Sequence, residues 1–137
     1  LNLPEGHIHL QINPDSTLIR TDPSQFRQIF VILCENSVRH FDREAEALSI
    51  QISGGITRES GGPFVDIIDN GPGIEPENAR QMFEPFFTTR NAGTGLGLYI
   101  AKELCEANRL GLDYIAIPSG GSCFRITFHG RATQSVR

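Results

Sequence analysis

Three groups of residues in this chain could do chemistry. The first is Asn91-Ala92-Gly93-Thr94-Gly95-Leu96-Gly97-Leu98, three alternating glycines that run straight into a helix-like stretch. Glycine admits positive φ and close approach to the main chain, and a helix N-terminus adds unpaired N–H groups and partial positive charge. Together they suit an anion, most often a phosphate. The second is Ile67-Ile68-Asp69-Asn70-Gly71-Pro72-Gly73-Ile74, which sets a carboxylate at the end of an apolar strand, just before a turn. Asp69 there can accept a hydrogen bond from an exocyclic amine at the bottom of a pocket. An Asp-Asn-Gly turn that caps itself fits the same residues. The third is Asn36, near the end of a helical stretch, with Arg39 and His40 about one turn further on. An Asn carbonyl is a neutral hard-oxygen ligand, suited to a Mg2+ that keeps waters and phosphate oxygens as its other ligands.

Two better-known phosphate loops do not fit. A dinucleotide-binding G-x-G-x-x-G beginning at Gly93 or Gly95 needs a third glycine where Leu98 or Ile100 stands, and no Gly-Lys-Ser/Thr follows the last glycine.

The elements that must position these groups can be read from periodicity. "HIHLQINP" and "TLIRTD" alternate apolar and polar residues around Asn13-Pro14-Asp15 and are expected to form a strand pair. Asp22, Pro23 and Gln25 then announce a helix: a cap, a first-turn proline and the reciprocal residue of a capping box. Its apolar stripe is Phe26, Ile29, Phe30 and Leu33, and it should run to about His40. "LSIQIS" and "PFVDIID" read as two more strands. A second helix is expected from about Leu96 to Asn108, with Leu96, Tyr99, Ile100, Leu104 and Ala107 on one face. "LDYIAI" and "SCFRITF" should close the chain as a hairpin around "PSGG", leaving "RATQSVR" as a solvated tail. Strands at both ends and helices between them predict an α+β, two-layer α/β sandwich with a mixed sheet, in one domain over residues 1–130 with a tail over 131–137.

Composition narrows the function classes. With 137 residues, 39% hydrophobic and 20% charged, the chain is long enough for a real core. A net charge of −4 without a Lys/Arg-rich run argues against a nucleic-acid surface and against membrane contact by the domain itself. Cys34, Cys105 and Cys123 are odd in number and set among apolar neighbours, which fits reduced, buried thiols better than a disulfide framework or a zinc site. The sequence starts at Leu1 and is expected to be a piece of a longer chain.

The order and spacing of the three groups resemble the histidine-kinase catalytic domain of the GHKL (Bergerat-fold) ATP-binding superfamily, from Leu3 to about Phe128. "QIFVILCENSVRH" looks like its N box, "DNGPGI" its first glycine box, "FEPFFTTR" its F box and "GTGLGL" its second glycine box. The glycine loop with "GGSCFRITF" is most similar to the nitrogen-regulation sensor group. The resemblance implies that Asn36 binds Mg2+ and that Asp69 accepts from the adenine amine, with Gly71, Gly73 and Ile74 against the purine. It implies that Gly93, Thr94, Gly95, Leu96, Gly97 and Leu98 hold the ATP phosphates beneath a lid. Arg39 matches a basic position facing the phosphates, and His40 an often aromatic one packing on the base. Arg90 is the candidate γ-phosphate contact, with Thr89 beside it. Phe83 borders the nucleotide and, with Phe86 and Phe87, is expected to anchor the lid to the core.

The same resemblance implies ATP and Mg2+ as ligands, and as partners a dimerisation domain carrying the acceptor histidine and the receiver domain of a response regulator. It places the domain in the cytoplasm, as part of a membrane-anchored sensor. None of His7, His9, His40 and His129 lies in an acceptor motif, which needs His, then an acidic residue, then Pro on a long helix. One departure stands out. Ile32 occupies the position where these kinases often carry a second Asn and hydrolytic relatives a water-activating glutamate. Glu35, about 100° from Asn36 around a helix, is expected to be a poor substitute. Two other readings are an anti-sigma-factor-type serine kinase and a nucleotide-binding regulatory module without catalysis.

Overall fold

The computed structural model describes residues 8–12, 17–18, 21–44, 47–56, 62–88, 95–128 and 133–134. The elements are β1 (Ile8–Ile12), β2 (Thr17–Leu18), α1 (Pro23–Arg39), β3 (Ile50–Ile56), β4 (Pro63–Asp69), α2 (Pro76–Ala79), α3 (Gly97–Ala107), β5 (Leu110–Ala116), β6 (Ser122–Phe128) and β7 (Thr133–Gln134). Five strands form one mixed sheet in the order β1-β3-β4-β6-β5, and β2 pairs with β7 in a second sheet. Only β1 on β3 is parallel among the main-sheet pairs. With α1 and α3 packed as a layer on that sheet, the expected α/β sandwich is present.

The core lies between sheet and helices. Ile50, Ile52, Ile67, Leu112, Phe124 and Ile126 from the strands meet Ile29 and Leu33 of α1 and Ala101 and Cys105 of α3, all buried. At roughly 1.5–3 kcal/mol for each large side chain fully buried, this layer holds the fold together. On the opposite face of the sheet, Asp66 and Arg125 are cross-strand partners. Arg125 donates through Nε and Nη2 to the two Asp66 carboxylate oxygens, at 2.8 and 2.9 Å, and its guanidinium lies 4.4 Å from the Phe64 ring centroid.

Helix α1 begins as its sequence dictates. Asp22 Oδ1 accepts from the Gln25 N–H at 3.0 Å, and Pro23 stands in the first turn. The reciprocal half of the capping box is absent, because the Asp22 N–H donates to Asn108 Oδ1 instead. Asn108, just past the end of α3, also donates to Gln25 Oε1 and to the Leu104 carbonyl, so one side chain closes both helix ends.

Three expectations are corrected. β1 and β2 do not pair with each other; Ile8, Leu10 and Ile12 stand in register with Ile50, Ile52 and Gly54 of β3. A nearby turn signal is local, whereas matching an apolar strand to another one 40 residues away is not. Thr133 and Gln134, assigned to a solvated tail, pair with Leu18 and Thr17. Helix α3 is rotated from the expected face: Ala101 and Cys105 are buried, while Ile100 is 37% exposed and Ala107 is exposed. Gly97, Ala101 and Cys105 repeat every four residues, and their small size lets α3 approach α1 closely. Size-weighted reading of the helix favours its bulkier residues and misses this seam.

Burial pushes each of the three cysteine thiols up to about 11, and all three are free. Since the thiolate is the reactive form, a disulfide-exchange reagent at neutral pH should label Cys34, Cys105 and Cys123 only as the protein unfolds. Prompt labelling of any one in the native state would contradict the packing. A second expectation concerns Arg109, which follows α3 with φ of 58°. A left-handed conformation costs an L-residue roughly 1–2 kcal/mol, part of which a glycine's greater unfolded-state entropy offsets. Arg109→Gly should therefore raise stability by about 0.5–1 kcal/mol, read as a higher denaturant midpoint at unchanged slope.

Candidate functional site

Residues 32, 35, 36, 39 and 40 of α1 and its C-cap are spaced i, i+3, i+4, i+7, i+8 and make one stripe. That stripe walls a cavity of about 330 Å3, within the size range of small-molecule sites. Pro72, Gly73, Ile74 and Glu75 close it from the loop after β4, Asn78 from α2, and Met82, Phe87 and Thr88 from the segment beyond. Gly95, Gly97 and Leu98 complete it at the start of α3. Ile32, Ile74, Met82, Phe87 and Leu98 supply an apolar lining, and the charged groups are Glu35, Arg39 and Glu75.

A smaller recess of about 20 Å3 adjoins the cavity. It shares Asn36, His40, Pro72, Gly73 and Ile74 with the cavity and adds Ser37, Asp69, Gly71 and Ser122. Asp69, 7% exposed, accepts from Ser37 Oγ–H at 2.7 Å and from the Gly71 N–H at 2.9 Å. The self-capping turn is thus present, and the same carboxylate also borders the recess. The β5–β6 turn shapes the floor beside it. A Cβ on Gly121, whose φ is 106°, would lie 2.3 Å from the Asp69 carbonyl oxygen, so only glycine fits. Tyr114 steadies the loop above by accepting the Ile74 N–H at 3.0 Å.

Asn36 is 9% exposed, and among the described residues its side-chain amide makes no hydrogen bond. An unpaired amide at that depth costs roughly 1–3 kcal/mol unless something in the cavity binds it. Its backbone carbonyl is occupied, accepting from the His40 N–H at 3.1 Å and lying 3.0 Å from His40 Nδ1. The described residues contain no cluster of three or more His, Cys, Asp or Glu able to hold a metal. A cation beside Asn36 would therefore rest on one amide oxygen, with the bound ligand and water completing its shell. That donor set fits Mg2+, which prefers oxygen ligands and keeps several waters.

Helix α3 opens onto the cavity without a side-chain cap; Leu96 holds the N-cap position and gives no such bond. The first N–H groups of a helix have no intrahelical partner, and Gly97 and Leu98, at the start of α3, line the cavity, an arrangement that suits an anion. Gly95, with φ of 74°, seats this start against the segment ending at Phe87. Its carbonyl accepts the Phe86 N–H at 2.9 Å, and a Cβ there would lie 2.5 Å from the Phe86 carbonyl carbon.

Of the residues singled out from sequence, Asn36, Arg39, His40, Gly73, Ile74, Gly95, Gly97 and Leu98 line the cavity, and Asp69 and Gly71 the recess. Thr89, Arg90, Gly93 and Thr94 lie outside the described residues. Leu96 lines neither space. Phe83 lines neither as well; it packs edge-on against Phe124 at 6.4 Å between centroids, with Lys102 Nζ 5.4 Å from its own. Phe86 is 73% exposed and Phe87 faces the cavity, so of the three phenylalanines only Phe83 is an anchor to the core. Glu35 also lines the cavity, which takes a stripe of helix wide enough to include it and Asn36, about 100° apart. That spacing was readable; Glu75, Asn78, Ser37 and Ser122 carried no comparable signal.

The match with known proteins follows the same residues. The family model described as histidine kinase-, DNA gyrase B- and HSP90-like ATPase matches residues 21–132. Sensor protein kinase PilS of Pseudomonas aeruginosa is 40% identical over 124 residues, covering 90% of this chain and 23% of PilS. Sensor histidine kinase YkoH of Bacillus subtilis is 31% identical, covering 88% of this chain and 26% of its own length. The chain thus spans about a quarter of these relatives. Among solved structures, full-length ShkA in complex with AMPPNP superposes with a TM-score of 0.76 at 22% identity, covering 94% of this chain and 26% of ShkA. The nucleotide-free catalytic domain of histidine kinase ThkA gives 0.74 at 23% identity, covering 88% and 76%. The cavity, the recess and the bare start of α3 all lie within the matched residues, and this chain belongs to the histidine kinase-, DNA gyrase B- and HSP90-like ATPase family.

Proposed function

We propose that this chain is the ATP-binding catalytic domain of a two-component sensor histidine kinase, presenting the γ-phosphate of ATP to a histidine on another domain. The observation that carries this reading is the pairing of one cavity with its recess. The cavity is lined by the buried, unpartnered Asn36 amide, the Arg39 guanidinium and the start of α3, a set that suits phosphates. The adjoining recess, the size of one small polar group, holds a carboxylate that suits an exocyclic amine. The recess is too small for a purine, so the ring would lie in the main cavity between Ile74 and His40, with its amine directed at Asp69.

In this reading Asn36 holds a Mg2+ that, when bound, neutralises charge on the phosphate oxygens. Arg39 adds positive charge to the same cavity, and the α3 N–H groups fix the phosphate chain. Transfer breaks the bond between the γ-phosphorus and the β–γ bridging oxygen and forms a phosphorus–nitrogen bond to the acceptor imidazole, which releases a proton, while ADP departs. Positioning and electrostatics are the contribution of this domain. The acceptor histidine, the response regulator that takes the phosphate onward and a cytoplasmic location belong to the same proposal. Among the described residues no helix is long and apolar enough to cross a membrane.

Ile32 is apolar and packs toward the start of α3, its Cγ2 3.6 Å from where a Gly97 Cβ would stand. It can neither activate water nor ligate a metal. Glu35 in the cavity keeps one second reading, ATP hydrolysis, worth a direct test.

Two outcomes are expected. Asn36→Ala should weaken ATP binding about tenfold or more in Mg2+ and by less than about twofold in EDTA; equal losses would make Asn36 a structural residue. The isolated chain should bind ATP without labelling itself or hydrolysing it steadily, and should transfer labelled phosphate only when a separate acceptor domain is added. Steady hydrolysis that disappears in Glu35→Gln would establish the second reading instead.

A further inference from the structure

Ser37, the residue after Asn36, has no part in the roles proposed above. It is 3% exposed, and its Oγ lies 2.7 Å from Asp69 Oδ2 and 3.3 Å from the Leu33 carbonyl oxygen. A hydroxyl has a single proton, and the shorter, charge-assisted contact takes it. Asp69 Oδ1 meanwhile accepts from Gly71. The carboxylate is held from two sides, by α1 and by the turn, and what Asp69 itself offers the recess is lone pairs. Toward Asp69 an N–H donor is favoured over a carbonyl oxygen.

We propose that Ser37 is a positioning residue for base selectivity: its hydroxyl fixes Asp69 as an acceptor, so that the site takes a purine with a 6-amino group and rejects one with a 6-carbonyl. This rests on the reading of the cavity as an adenine-nucleotide site. The serine sits on the same helical turn as Asn36, so a single helix serves both the cavity and the recess.

The test compares ATP with inosine triphosphate, which has the same ribose and phosphates but a carbonyl at position 6. Calorimetric titration of this chain, in Mg2+, is done on the wild type, Ser37→Ala and Asp69→Ala. Ser37→Ala should weaken ATP by about three- to tenfold and move inosine triphosphate by less than about twofold. Equal losses for both nucleotides would make Ser37 a general support of the fold and overturn the inference, as would no loss for either. If Asp69→Ala abolishes the preference for ATP while Ser37→Ala preserves it, the site assignment stands and the Ser37 inference falls. If Asp69→Ala preserves the preference, both fall. Should Ser37→Ala be too unstable to titrate, Ser37→Cys keeps the volume with a weaker donor; it should narrow the same preference, and an unchanged preference overturns the proposal.

Discussion

A carboxylate buried at the end of a strand must be given donors, and in this fold meeting that need organises everything around it. Asp69 is 7% exposed. One of its oxygens is served by α1 and the other by the turn that follows β4. The first bond sets how far along the sheet α1 lies, since Ser37 has to reach the last residue of β4. That placement puts Asn36 and Arg39 on the wall of the same cavity. The second bond folds the chain back at Gly71, and Tyr114 then holds Ile74 over the recess. Gly121 adds the constraint from below, leaving no room for a side chain above the Asp69 carbonyl.

The two helices depend on each other in the same way. Gly97, Ala101 and Cys105 let α3 lie close to α1, and Asn108 ties the end of α3 to the start of α1 through Asp22 and Gln25. The start of α3 and the Asn36 end of α1, which both line the cavity, are consequently held by the same ties. Phe83, clamped between Phe124 and Lys102, carries the segment to Phe87 back onto the core.

Much of this could be read from residue types alone, because the chemistry is local. A carboxylate at a strand end, a run of alternating glycines before a helix and a buried-stripe asparagine each announce themselves within ten residues, and their order is as specific as their identity. The strands β3 to β6 and both long helices followed from period and punctuation. What escaped was non-local or small. A serine after Asn36 is chemically ordinary until the fold brings Asp69 to within 2.7 Å of it. Glu35 reaches the cavity because the cavity is wide, which its angle to Asn36 alone does not give. The partner of β1 could not be known from its own sequence, since a nearby turn and a distant strand compete for the same backbone donors.

The parallel pairing of β1 has a consequence for how the domain is delivered to a partner. Ile8 stands opposite Ile50, and Ile50 opposite Asp69, so β1 begins at the end of the sheet where the recess lies. Two strand spacings, on the order of 10 Å, separate that entry from Asp69. An antiparallel β1 would have brought the chain in at the far end, a strand length away. A group tethered ahead of β1 is therefore held at the end of the sheet where the recess lies, and a tether acts there as a raised local concentration. A weak contact at the cavity can then suffice, because the connection keeps returning the tethered group to it.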